Sequence, residues 1–96
     1  NNLLSDKDLN KAQALYKQLR ICAETVSTGV KFDDAEFISK QNLIKEGWEI
    51  DYFEIRKQVD LKKPSYNDLK LVVLGAGFIS KVRLIDNIEF CIPSTI

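Results

Sequence analysis

Leu71-Val72-Val73-Leu74-Gly75-Ala76-Gly77-Phe78-Ile79 is the most apolar run of this chain, and the fold turns on how it is read. An apolar strand running into glycines at this spacing can bring backbone amides to a pyrophosphate. That fingerprint also needs a helix opening at the glycines, a third small position, a second parallel strand and an acidic residue about 20 positions on. Here the third small position is Ser80, the chain runs on into Val82 to Phe90, and it ends at Ile96. The segment after the glycines alternates like another strand. The run is therefore read as the central strand of an antiparallel sheet. Its glycines mark a bulge, close packing or a need for low side-chain volume.

Working outward, Ser80-Lys81 turns the chain into Val82 to Phe90. There Val82, Leu84, Ile88 and Phe90 share one face, and Arg83, Ile85, Asn87 and Glu89 the other. Asp86 falls on the apolar parity. Three explanations stay open: a bulged strand, a hydrogen-bonded carboxylate, or a wrong parity. Upstream, Val59 to Leu69 is rich in turn formers and predicts a connection without a strand. Ile50 to Lys57 alternates with Phe53 and Ile55 on one face and Tyr52, Glu54 and Arg56 on the other, which predicts a sheet with one solvated face.

Before Trp48 the period is that of helices. Ser5 and Asp8 make a capping box, Asp6 suits the positive end of the helix dipole, and Gly29 supplies a stop. Leu9, Ala12, Leu15, Tyr16, Leu19, Cys22, Ala23 and Val26 form the apolar stripe between them. Leu3 and Leu4, ahead of the cap, read as a hydrophobic staple or as a contact to something outside this chain. A second helix is predicted from Asp33, with Glu36 as the reciprocal cap, to just before Gly47; its apolar set is Ala35, Phe37, Ile38, Leu43 and Ile44. The expected fold is α+β: a two-layer domain, two helices packed on a small three-stranded antiparallel sheet. Leu15, Leu19 and Val73 are its expected core.

Composition narrows the function. Ninety-six residues allow one domain, and 14 Lys and Arg balance 14 Asp and Glu. Phosphate-backbone binding needs a positive stripe, and the basic runs here are pairs such as Lys62-Lys63, so nucleic acid is not the expected partner. The chain has no histidine, which removes the ordinary general base, the usual serine and cysteine triads and most zinc sites. Cys22 and Cys91 sit at no metal or redox spacing and are expected as separate reduced thiols of a cytoplasmic protein. No run is long enough to span a membrane and no signal-peptide pattern stands at the start. With no methionine even at position 1, the chain reads as part of a longer protein.

Two constellations invite a catalytic reading: Asp51 and Glu54 beside Arg56, and Arg83 with Asp86 and Asn87. Charged residues on the wet face of a small sheet are more often solvated pairs. No residue of this chain is expected to be catalytic or to bind metal. The residues by themselves lead to a small binding or covering module.

Three segments carry a resemblance. They are Asn1-Asn2-Leu3-Leu4-Ser5 leading into Ala14-Leu15-Tyr16-Lys17, then Asp51-Tyr52-Phe53-Glu54-Ile55-Arg56, and last Arg83-Leu84-Ile85-Asp86-Asn87. In order and spacing they are similar to the C-terminal domain of the pantothenate synthetase (pantoate-beta-alanine ligase) family: the end of its Ser-Arg-Asn-x-Tyr-Leu-Ser signature, its Asp-Tyr-x-Glu-Ile-Arg strand and its Arg-Leu-Ile-Asp-Asn strand. The chain departs at Leu3, where the family commonly has tyrosine, and at Ser80, where it usually has glycine. The resemblance implies an enzyme that joins D-pantoate to beta-alanine with ATP and Mg2+, through a pantoyl adenylate, releasing pyrophosphate and then AMP. It implies that residues 1–96 are a lid whose partner is the enzyme's own N-terminal nucleotidyltransferase domain, with a His-x-Gly-His type motif, in a homodimeric whole. By position Asn1 matches the signature's asparagine, and Asn1 and Asn2 are expected near the ATP phosphates in the intact enzyme only. The alternative is a free-standing protein-interaction module without catalysis.

Overall fold

The computed structural model describes residues 6–65 and 67–92. The capping serine, the Leu3-Leu4 pair and the Asn1-Asn2 pair lie outside the described residues. Helix α1 spans Asp6–Ser27 and helix α2 Phe32–Lys45, followed by strands β1 Glu49–Lys57, β2 Lys70–Ile79 and β3 Val82–Cys91. The sheet has the order β1-β2-β3 with both pairs antiparallel. This is the expected α+β arrangement of two helices on a three-stranded antiparallel sheet.

On α1, Leu15, Leu19, Cys22, Ala23 and Val26 are buried, the three-and-four spacing that defines one helical face. Tyr16, counted in the stripe from sequence, lies on the flank and is 48% exposed. Gln18 is the polar residue buried toward α2; its side-chain oxygen accepts from Asn42 Nδ2 at 3.2 Å, and its carbonyl accepts from Ser39 Oγ at 3.3 Å. Helix α2 buries only Ala35, Ser39 and Leu43, so the wider apolar set was too generous: Phe37, Ile38 and Ile44 face outward. The helix begins at Phe32, one residue before the expected start, and Lys31 at its cap makes no side-chain cap bond. The reciprocal cap expected of Glu36 is not made; Glu36 reaches the sheet instead. Gly47, at φ 99°, closes α2, with its amide on Ile44 O and the Trp48 amide on Leu43 O.

Register explains the two glycines of β2. A bulge between Ile50 and Tyr52 adds Asp51 to β1, and beyond it the helix-facing rows are Phe53, Gly75 and Asp86, then Ile55, Val73 and Ile88. A Cβ on Gly75 would stand 3.2 Å from Leu19 and Phe53 and 3.3 Å from Leu15; one on Gly77 would stand 2.9 Å from the Glu49 carbonyl and 3.2 Å from the Trp48 ring. Of the alternatives open at the sequence, close packing is the one realised. The bulge is on the neighbouring strand. The glycines are the floor onto which α1 and Trp48 settle.

Ser80 and Lys81 form the two-residue hairpin turn with φ of 52° and 68°, a primed turn made without glycine. Lys11 Nζ donates to Ser80 Oγ at 2.5 Å, tying the turn to α1. At the other end of the sheet, Gln58 Nε2 donates to the Leu71 and Phe90 carbonyls and fixes the connection that follows, which holds no strand among the described residues. None of the described helices is long and apolar enough to cross a membrane.

Candidate functional site on the bare face of the sheet

The face of the sheet away from the helices is built from four rows. These are Glu49, Phe78 and Arg83; Tyr52, Ala76 and Ile85; Glu54, Leu74 and Asn87; and Arg56, Val72 and Glu89. Val72 and Ala76 in the central strand are buried by the larger side chains that flank them. Phe78 is 39% and Ile85 58% exposed, leaving an apolar step in the middle of a charged frame.

Arg83 holds one corner of that frame. Its Nη2 donates to Asp51 Oδ2 at 2.8 Å, and its guanidinium carbon lies 5.9 Å from the Phe78 ring centre. The side chain therefore crosses the central strand over an aromatic face and meets the residue that the bulge inserts into β1. Arg56 pairs with Glu54 on the same strand. The structure thus joins members of both sequence constellations, Asp51 with Arg83, while Asn87 lies in the Glu54 row. A guanidinium occupies each carboxylate, so Asp51 and Glu54 are not arranged as an acid and base pair.

Asp86 leaves this group for the helix-facing side, as its parity required, and is half-buried there. Its Oδ1 accepts the Asn87 amide at 2.8 Å. A two-residue turn makes Ile79 and Val82 a hydrogen-bonded pair, so alternation puts the Asn87 amide on the free edge of β3. The carboxylate caps an otherwise open edge amide, and the explanation by hydrogen bonding holds. The β1 edge is treated alike: Glu36 Oε2 accepts the Ile55 amide at 2.7 Å. Burial pushes the Glu36 carboxyl above its ordinary range; the Ile55 amide pulls it back, Asp33 and Glu54 push it up, and Lys40 pulls it down. Nearby, burial and then the Glu36 charge push the Cys22 thiol up to about 12 against the opposing Ser39 hydrogen bond, so it stays a neutral core group. Both cysteines are free, as expected, Cys22 buried and Cys91 exposed. Sequence reasoning missed Glu36 as an edge cap because its spacing from Asp33 imitates a helix cap.

Among the described residues no three Cys, Asp and Glu side chains converge as a metal site. The space in front of Gly75 and Gly77, where a phosphate cradle would lie, is filled by Leu15, Leu19, Phe53 and Trp48. Asn1 and Asn2, named from the resemblance, lie outside the described residues.

A helix pair sealing one side of a three-stranded sheet, with Asp51 and Arg83 bridging the other, defines the class to which comparison then gives a family. The profile described as pantoate-beta-alanine ligase matches residues 1–89, and the chain belongs to this family. It is similar to the pantothenate synthetase of Neisseria meningitidis serogroup C, with 37% identity over 94 residues, which is 97% of this chain and 34% of that protein. The pantothenate synthetase of Idiomarina loihiensis is 36% identical over 89 residues, 93% of this chain and 32% of that protein. Among solved structures, the pantothenate synthetase of Thermus thermophilus superposes with a TM-score of 0.77 at 28% identity, over 90% of this chain and 32% of that one. The chain spans about a third of the length of the relatives it matches.

Proposed function

We propose that residues 1–96 are the covering domain of a ligase that joins D-pantoate to beta-alanine at the expense of ATP, through a pantoyl adenylate. The observation that carries this reading is the bare sheet face, with Phe78 and Ile85 inside a frame of ion pairs, in a chain that belongs to the pantoate-beta-alanine ligase family. An acyl adenylate is a mixed anhydride that water destroys. A cover contributes by excluding water and fixing geometry, and needs surface fit more than a reacting side chain. ATP and Mg2+ belong, in this reading, to a nucleotidyltransferase domain outside residues 1–96. Asn1 and Asn2 are proposed to come near the phosphates only when both domains are present.

Replacing Asn1 and Asn2 together with alanine in the longer enzyme tests the last point. The adenylation rate should fall while the melting curve of residues 1–96 stays in place, because polar residues ahead of a helix cap in sequence contribute little to a core. An unchanged rate removes Asn1 and Asn2 from the site and leaves the bare face to be tested separately.

A further inference from the structure

The hairpin end of the sheet stands beside open space. A groove of about 360 Å³ lies between α1, the end of α2 and the base of the hairpin, lined by Asn10, Lys11, Ala14, Glu46, Trp48 and Ile79. Around Gly75, by contrast, Leu15 and Leu19 press directly onto the sheet. From the wall of this groove Lys11 reaches the turn, its Nζ donating to Ser80 Oγ at 2.5 Å. On the opposite side of the same hairpin, Phe78 and Arg83 are a cross-strand pair of the bare face, and Arg83 meets Asp51 at 2.8 Å. We propose that Lys11 and Ser80 are positioning residues, whose bond sets from the helix layer where the hairpin holds the Phe78 and Arg83 corner of the covering face. This inference rests on the covering role proposed above.

Serine is not the residue that the turn's backbone favours. Ser80 has a φ of 52° and Lys81 one of 68°, in the left-handed region that glycine and asparagine enter most readily. What serine adds over glycine is a hydroxyl, and that hydroxyl accepts from Lys11. Ser80 is exposed and Lys11 half-buried, so water competes for both partners and the bond adds little to global stability. Its effect is geometric. Phe78 and Arg83 follow directly on the Ile79 and Val82 pair that closes the turn, so a tilt of the turn toward or away from the groove carries that corner with it. In the covering reading, fit at the face keeps water from the acyl adenylate. Water that enters adds to the acyl carbon and breaks its bond to the phosphate oxygen, giving D-pantoate and AMP, so AMP forms without pantothenate.

Ser80→Gly and Ser80→Asn in the longer enzyme test it. Both replacements accept a left-handed φ, but only asparagine offers Lys11 an oxygen. Ser80→Gly should raise the ratio of AMP to pantothenate about two-fold or more, while the urea midpoint of residues 1–96 stays at or above that of the unaltered chain. Ser80→Asn should bring the ratio back. Lys11→Met keeps the stem and removes the ammonium, so it should match Ser80→Gly, and in its background Ser80→Asn should no longer rescue. Lys11→Met combined with Ser80→Gly should do no more than either alone, because both remove one bond. A bond that only stabilised the fold would lower the midpoint and leave the ratio in place; that result overturns the proposal, as does equal uncoupling by Ser80→Gly and Ser80→Asn. Ile85→Lys, which alters the face itself, shows which reading has failed. Uncoupling by Ile85→Lys without uncoupling by Ser80→Gly overturns the positioning role alone, and uncoupling by neither overturns the covering role and the positioning role together.

Discussion

At Gly77 a single hydrogen separates a workable fold from a clash. A Cβ there meets a backbone oxygen at 2.9 Å, whereas at Gly75 the nearest atoms belong to the Leu19 and Phe53 side chains, which can shift. Gly77→Ala should therefore cost about 1–3 kcal/mol in urea melts, and Gly75→Ala less. Glu36 gives a pH prediction. Its folded-state carboxyl binds a proton more tightly than the unfolded one, so its contribution falls as pH rises from the ordinary carboxylate range through the raised folded value. Glu36→Gln keeps an acceptor for the Ile55 amide without the charge. It should flatten that slope and leave the protein at least as stable at pH 7, while Glu36→Ala should be weaker than both. Thiol chemistry checks the same region, because a disulfide-exchange reagent should titrate Cys91 alone in the native state and Cys22 only after unfolding.

At the scale of elements, what was legible in the sequence is what local pattern dictates. The α1 stripe, the alternation of β1 around Phe53 and Ile55, and the order of two helices before three strands all follow from periodicity. The parity of Asp86 was read correctly, but its partner, a backbone amide on a free edge, depends on the register that the two-residue turn imposes. The Asp51 bulge and its reach to Arg83 are tertiary, since they join residues 32 positions apart across a strand that neither belongs to. The outward turn of Phe37, Ile38 and Ile44 was equally hidden, because hydrophobic character does not say which side of a short helix meets the sheet. In the hairpin, Lys81 holds a left-handed φ of 68°. Lys81→Gly should raise stability by about 1 kcal/mol, measured as a higher urea midpoint with unchanged slope.

For the whole molecule, the fold separates what holds the domain together from what it presents. The core lies between the helices and the near side of the sheet, around Leu19, Phe53 and Val73. Leu19→Ala should cost about 2–5 kcal/mol. The ion pair on the bare face contributes little to stability: the Arg83 and Asp51 side chains are each 43% exposed, and such pairs are worth about 0–1 kcal/mol. If the face covers a reaction site, as proposed above, substitutions there should act on that reaction. The measurement that tests this most directly is the ratio of AMP released to pantothenate formed in the longer enzyme carrying Ile85→Lys, beside the melting curve of residues 1–96 with the same change. A covering role predicts an unchanged melt with AMP in excess of pantothenate, as water reaches an acyl adenylate that the face no longer shields. A ratio that stays at one, at an undiminished rate, would contradict it.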